Sequence, residues 1–364
     1  MRAVRPAAWL WCIALVGTAV VTADAALGRD TCLIGLLMAC PLLACTRLGG
    51  AATAGVSAGT LIAAVALAAA EDTLHFPDTA VRLLGLAAAS VYAVWAARRH
   101  VRHEAQLEQV AVVAQRAILR PTCFMAEGVS VCARYRSAAP PAVIGGDLYA
   151  FVHVPGGLRL VIGDVRGKGL EAVRLAAAAI GHFRDAACTR PGLAEVVAEM
   201  EARLAGDLGA EDFITAVVAE VFPGRVRLAN CGHHPPLHVP GNGEPALLEP
   251  ARSATPLGLG ADANVHEVKL APGDRLLFYT DGLAEARNAH GVMPDLARVA
   301  GLCATPRLED AVETVLSALT DHTGGETHDD IALVLIDPEP RVPHQETVTR
   351  HPARRHTTKA AGAN

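Results

Sequence analysis

The chain has 364 residues, of which 52% are hydrophobic and 19% charged, with a formal net charge of -5; it is too apolar for an ordinary soluble chain of this length, and part of it is expected in lipid. An acidic balance with only 4% aromatic residues argues against a nucleic-acid binder, which needs a basic face and stacking rings. Nine cysteines with no C-x-x-C pair exclude a thiolate zinc site by spacing and favour free thiols in a reducing compartment.

The apolar excess lies in residues 1–97, where four stretches (7–23, 31–48, 51–70 and 80–97) are rich in Ala, Leu, Val and Gly. Each approaches the roughly 20 residues needed to cross a hydrocarbon core of about 30 Å, which predicts a four-helix transmembrane region in contact with membrane lipid. Arg2, Arg5, Arg47, Arg98, Arg99 and Arg102 fall on one side of such a bundle, while the opposite connections carry Asp24, Arg29 and Asp30 and then Glu71, Asp72 and Asp78, acidic or mixed in charge. Cationic loops stay inside, so a multi-pass cell-membrane protein with both ends cytoplasmic is expected. No ionisable residue falls in the middle of a stretch, which favours an anchor or sensor over a transporter.

Residues 98–121 keep a helical period, with Val101, Leu107, Val110, Val113, Ala114, Ala117 and Ile118 tending to one side, and Pro121 ends the run. This linker helix serves either inert packing or dimerisation in the manner of a coiled coil, so a homodimer through it is one reading. Residues 122–336 alternate strand-like and helix-like runs. Strands are expected at 157–165, 214–221, 225–230, 275–280 and 331–337, and helices at 170–187, 193–204 and 308–319, with Phe222-Pro223-Gly224 as a hairpin turn. Strands joined by short turns predict an α+β domain with a largely antiparallel sheet. Residues 337–364, rich in Pro, Arg and His, are expected to form a disordered tail.

Four acidic positions stand where a strand meets a turn: Asp147 after Gly145-Gly146, Asp164 after Gly163, Asp281 before Gly282, and the pair Asp329-Asp330 after His328. A lone Asp in a turn is usually there for its backbone hydrogen bond. Four carboxylates on separate strand ends, without thiolates or a dense His cluster, instead suit a pair of hard divalent cations. Two such ions activate water and neutralise phosphoryl oxygens, so the inferred chemistry is metal-assisted phosphoester hydrolysis.

These residues sit within an ordered set of motifs. I-G-G-D-L-Y at 144–149, G-D-V-R-G-K-G-L-E-A at 163–172, N-C-G-H-H-P-P-L at 230–237, P-L-G-L at 256–259, Y-T-D-G-L-A-E-A-R at 279–287 and H-D-D-I-A-L at 328–333 resemble the stage II sporulation E type of serine/threonine phosphatases, bacterial relatives of protein phosphatase 2C. The resemblance covers about residues 122–336. It implies two packed, mainly antiparallel β-sheets flanked by helices and two Mn²⁺ or Mg²⁺ ions. It also implies removal of phosphate from serine or threonine of a regulatory protein, in this family usually an anti-sigma-factor antagonist.

Carried over position by position, the resemblance makes Asp147, Asp164, Asp281 and Asp329 metal ligands, with Asp164 bridging both ions. Asp147, Asp164 and Asp281 are the catalytic candidates, Val165 offers a backbone carbonyl to metal, and Asp330 serves as a supporting acceptor. No residue is assigned to substrate binding. Two departures stand out: Ala150 replaces an acid that often follows the motif tyrosine, and Cys231 replaces a common alanine. The segment 163–169 lacks the spacing and the Ser/Thr of a phosphate-binding P-loop. Lys168 and Arg166 are either exposed loop cations or phosphate-steering groups, Arg134 and Arg136 either surface residues or phosphate grips, and His233 and His234 turn-shaping residues. Two competing readings are a sensor histidine kinase, with His103-Glu104 on the linker and a faint glycine box at 164–169, and a degenerate phosphatase fold that only binds a partner.

Overall fold

Apolar runs of Ala, Leu and Val satisfy their backbone only as helices when water is absent, and the amino-terminal third of the computed structural model is helical. The structure describes residues 6–27, 33–138 and 145–338, apart from 253, 263, 326 and 328. The segment expected to be a disordered tail falls, from residue 339 on, outside the described residues, as do Arg2 and Arg5. Two compact units divide between Ala111 and Val112.

The first unit comprises α1 (Pro6–Leu27), a 3-10 turn (Ile34–Met38) leading into α2 (Ala39–Cys45), α3 (Gly50–Ala70) and the amino-terminal part of α4 (Pro77–Ile118). Among the described residues three helices, not the four expected, are long and apolar enough to cross a membrane: Ala7–Ala26, Gly50–Ala70 and Pro77–His103. The second stretch is corrected to the 3-10 turn and α2, five and seven residues long, or about 20 Å in all. Pro41, in the first turn of α2, has no N–H to donate to Leu37, which fits the change from 3-10 to α geometry just before it. This short segment lies back along α1. At one end the Leu33 N–H donates to Asp24 Oδ1, and at the other Trp9 Nε1 donates to Leu43 O at 3.1 Å. Asp24, expected in a loop, is a fully buried residue of α1.

In the second unit, two antiparallel sheets carry the catalytic candidates. One is ordered β1 (Thr122–Ala126), β2 (Val129–Arg136), β11 (Ile331–Asp337), β10 (Arg275–Tyr279), β7 (Leu237–Val239), β8 (Ala246–Leu247); the other is ordered β3 (Leu148–Val154), β4 (Gly157–Val165), β5 (Ile214–Phe222), β6 (Arg225–Cys231), β9 (Val265–Lys269). Inward residues of both, among them Val131, Phe278 and Val334 from one and Leu160, Val217 and Leu228 from the other, share one core with α5 (Leu170–Thr189) and α6 (Leu193–Leu204). The opposite face of the first sheet, with Leu277, Tyr279, Leu333 and Leu335, packs on α8 (Leu296–Cys303) and α9 (Leu308–Thr323). Burial on both faces is why β11 reads as an unbroken apolar run. A four-residue helix, α7 (Asp281–Ala284), follows β10. The expected α+β architecture of packed antiparallel sheets flanked by helices is present.

The hairpin at 222–224 forms as expected, with Phe222 paired to Arg225. Cys123 and Cys132 face each other across β1 and β2 and are joined as a disulfide, which corrects the expectation of free thiols for that pair.

Candidate active site

The site is assembled where strand ends meet. Asp164 and Val165 end β4, Asp147 enters β3, Asp281 follows β10, and Asp329 and Asp330 lead into β11. Close backbone approach demands glycine at two of these junctions. A Cβ on Gly146 would lie 2.5 Å from both the Cβ and the carbonyl oxygen of Val165, and one on Gly282 would lie 1.9 Å from Asp330 O. The Val165 N–H donates to Gly146 O at 3.1 Å, locking the Asp147 loop over the end of β4.

Electrostatics show the carboxylates converging. Burial, and then the charges of Asp281 and Asp329, push Asp164 up to about 7 against the opposing pull of Lys168. Asp147 is held well above the usual carboxylate range by burial and then by Asp164 and Asp330, while a hydrogen bond from Thr280 works the other way. Asp281 is raised by burial and then by Asp329. Carboxylates that raise one another's proton affinity constitute a site short of positive charge. The donor set is oxygen only, which fits hard dications such as Mg²⁺ and Mn²⁺. Among the described residues, no three His, Cys, Asp or Glu side chains are already grouped closely enough to hold one ion. Two of the four have protein partners instead: Lys168 Nζ lies 3.1 Å from both Asp329 oxygens, and Thr280 Oγ1 donates to Asp147 Oδ2 at 2.9 Å.

Asp330 is buried beside this group, and its carboxylate is taken up by donors of its own. Its carboxylate accepts from Tyr135 Oη at 2.7 Å, Ala138 N at 2.7 Å, Gly145 N at 2.6 Å and Gln115 Nε2 at 3.4 Å. Gln115 also donates to Gly145 O at 3.0 Å, so the last turns of α4 grip the loop that carries Asp147. Sequence reasoning overlooked Gln115, although a glutamine within the apolar stripe of the linker was the available signal. It also overlooked Thr280, which accepts from Ala332 N while donating to Asp147.

His233 joins the two sheets. Its Nε2 lies 3.2 Å from Tyr279 O and its Nδ1 3.0 Å from Thr215 Oγ1. Burial, and then the neighbouring His234, lower its pKa to about 3, so the ring is neutral. A carbonyl only accepts, which places the proton on Nε2 and makes Nδ1 the acceptor of the Thr215 hydroxyl. Thr215 of β5 is paired with Asp164 of β4, so one imidazole connects the strand pair bearing Asp164 with the strand that leads into Asp281. Arg134 and Arg136 are not phosphate grips. Arg134 binds Glu309 and Glu313 of α9 at 2.8 Å, and Arg136 donates to Leu316 O and Thr320 Oγ1. Ala150 lies in the core, so this departure from the family pattern is in the interior packing.

The stage II sporulation protein E (SpoIIE) family model matches residues 155–339, half of the chain. The chain belongs to the stage II sporulation protein E family. Asp164, Val165, Asp281 and Asp329 fall within the matched residues, and Asp147 precedes them. The chain is similar to the phosphoserine phosphatase RsbU of Bacillus subtilis (strain 168), with 22% identity over 275 residues, 73% of this chain and 80% of that protein. Among solved structures, the RsbU and RsbW domains of Rv1364c from Mycobacterium tuberculosis share 28% identity with a TM-score of 0.51, covering 59% of this chain and 61% of that one. The SiaA-PP2C domain of Pseudomonas aeruginosa shares 20% with a TM-score of 0.53, covering 66% of this chain and 98% of that domain. The second unit is thus a SpoIIE-family, metal-dependent serine/threonine phosphatase domain with the protein phosphatase 2C fold, and the kinase reading falls.

Proposed function

We propose that this protein is a membrane-anchored phosphatase that removes phosphate from serine or threonine of a regulatory protein of the anti-sigma-factor-antagonist kind, using two Mn²⁺ or Mg²⁺ ions. The observation that carries the reading is the convergence of four carboxylates where strand ends from both sheets meet: burial and neighbouring carboxylates, the charge of Asp329 among them, raise the pKa of Asp147, Asp164 and Asp281. Divalent ions bound there supply the positive charge that the phosphoryl oxygens need and activate water for attack. The chain's own part is to hold and orient: Asp147 is aimed by Thr280, and Asp164 and Asp281 are tied through His233 and Thr215. Val165 offers its carbonyl beside Gly146, and Asp330 anchors the loop from behind. The substrate class is supported by the family and by the likeness to RsbU, a phosphoserine phosphatase.

Anchoring in the membrane, with the phosphatase cytoplasmic, is supported by the three long apolar helices and by the grouping of cations at one end of the first unit. Arg47 lies 5.7 Å over the Trp9 ring, and Arg98 packs against Gly50 at the start of α3. The exposed residues Val110 and Val113 of α4, one turn apart, offer an apolar patch for pairing with a second copy. The test is phosphate release by the full chain in detergent with Mn²⁺, comparing a phosphoserine-bearing antagonist domain with p-nitrophenyl phosphate, alongside an ATP autophosphorylation assay. Release from the phosphoprotein that stops in EDTA is expected. Release that persists in EDTA, or a trapped phosphoenzyme, overturns the reading.

A further inference from the structure

Within the first unit, α3 and α4 part to leave a groove of about 570 Å³. Apolar side chains such as Leu61, Val91 and Val94 form its walls, and Ser57 and Ser90 lie among the residues lining it. Both serines are buried, at 5% and 4% exposure, and neither hydroxyl has a hydrogen-bond partner. A serine in a membrane helix ordinarily satisfies itself on the carbonyl one turn back, and an unmet hydroxyl in hydrocarbon is costly. Each oxygen has almost no surface of its own in this arrangement, so an acceptor from outside the chain meets the two hydroxyls when α3 and α4 part slightly.

Arg98, Arg99 and Arg102 line the same groove. Among the described residues no acidic side chain pairs with any of the three, and Arg99 rests 5.2 Å over the Trp95 ring. Ser90 precedes Arg98 by two helical turns, about 12 Å along the axis, and long side chains on a helix lean toward its amino terminus. The Arg98 side chain lies against Gly50 at the start of α3, which puts its guanidinium at the mouth of the groove, with the serines deeper in.

We propose that this groove between α3 and α4 binds an anionic phospholipid, with its phosphate on Arg98, Arg99 and Arg102, its ester oxygens on Ser57 and Ser90, and its acyl chains along the apolar walls. Guanidinium groups bind phosphate through paired, charge-assisted hydrogen bonds. A basic pocket between membrane helices is the setting in which lipid head groups are recognised. A second copy of the chain is a poor occupant, because twofold pairing brings three further guanidinium groups against these three. The proposal rests on the membrane reading of the amino-terminal helices.

The test is native mass spectrometry of the full chain released from nanodiscs of phosphatidylglycerol or of phosphatidylcholine. Phosphatidylglycerol should be retained at least tenfold more than phosphatidylcholine, and the preference should vanish in the triple variant Arg98→Gln, Arg99→Gln, Arg102→Gln. The double variant Ser57→Leu, Ser90→Leu keeps every charge but fills the groove, and it should lose the lipid too. If that variant does not fold, Ser57→Ala with Ser90→Ala, which removes only the hydroxyls, should weaken retention severalfold. Equal retention of the two lipids, or full retention by the folded serine variants, overturns the proposal. So does displacement of the lipid by glycerol phosphate, which assigns the site to a free phosphate, or a dimer that excludes it. Release of the chain from membranes by alkaline carbonate defeats the membrane reading itself, a result distinct from a bound but unselective protein.

Discussion

His233 shows how one side chain both supports the fold and serves the site. Its pKa is lowered to about 3 by burial, whereas in the unfolded chain it is near 6.5. Below about pH 6.5 the unfolded chain takes up a proton that the folded chain refuses until about pH 3, so stability present at neutral pH is lost as the pH falls through this window. The stability advantage of wild type over His233→Gln should shrink by about 2 kcal/mol between pH 7 and pH 5, read by urea unfolding; a constant gap contradicts the neutral, Nε2-protonated ring. Gln115→Leu keeps the bulk of the side chain but leaves Gly145 O without its donor, at a cost of about 1–3 kcal/mol. Its turnover should fall severalfold at limiting Mn²⁺ and recover in part at high Mn²⁺, because the Asp147 loop is loosened while the carboxylates remain. Unchanged Mn²⁺ dependence contradicts a positioning role. Asp147, Asp164 and Asp281 were legible because each stands beside a glycine at a strand end, and Asp329 because it opens an unbroken apolar run. Gln115 and Thr280 were not, because their roles depend on Asp330 and Asp147, 215 and 133 positions away.

At the scale of elements, continuous apolar runs made β4, β5, β10 and β11 readable, since burial on both faces removes polar alternation. The β1–β2 hairpin was harder to see. Its turn is Glu127-Gly128, with positive φ of 50° and 80°, a two-residue I′ arrangement without the Asn-Gly or Asp-Gly that usually announces it. The second apolar stretch misled because composition alone cannot show that its helical part is confined to Ile34–Cys45, too short for a span. The short segment still runs from the Asp24 end of α1 back to the Trp9 end, so reporter fusions after Arg47 and after Arg102 should both register as cytoplasmic. Opposite sides contradict the topology. In the second unit, Arg159 of β4 is buried against Glu220 of β5, with Nε and Oε1 2.7 Å apart, and also donates to the carbonyls of Ala187 in the last turn of α5 and of Arg190 and Pro191 just after it. Glu220→Ala leaves that guanidinium unpaired in the interior. It should cost about 3–5 kcal/mol, visible as a lowered denaturation midpoint; a near-neutral effect shows that the carbonyls alone satisfy Arg159.

For the whole molecule, an apolar amino-terminal unit and a phosphatase unit are carried on one chain, and the helix α4 belongs to both. Composition alone separates the two, because lipid and water select opposite residues. What composition does not convey is the dependence of the site on groups from four strand ends. The central claim is that these carboxylates hold the metal that drives hydrolysis, with Asp164 at the centre. Removing its charge disfavours metal occupancy and activation of water together. The most direct test measures phosphate release from a phosphoserine protein across a Mn²⁺ titration, for the full chain and for Asp164→Asn. The account predicts a loss of turnover of at least about a hundredfold, or some 2.7 kcal/mol, recovering only in part at saturating Mn²⁺ while the thermal midpoint stays within a few degrees. Near-normal turnover of Asp164→Asn at limiting metal would contradict it and leave the acidic turns a purely structural role.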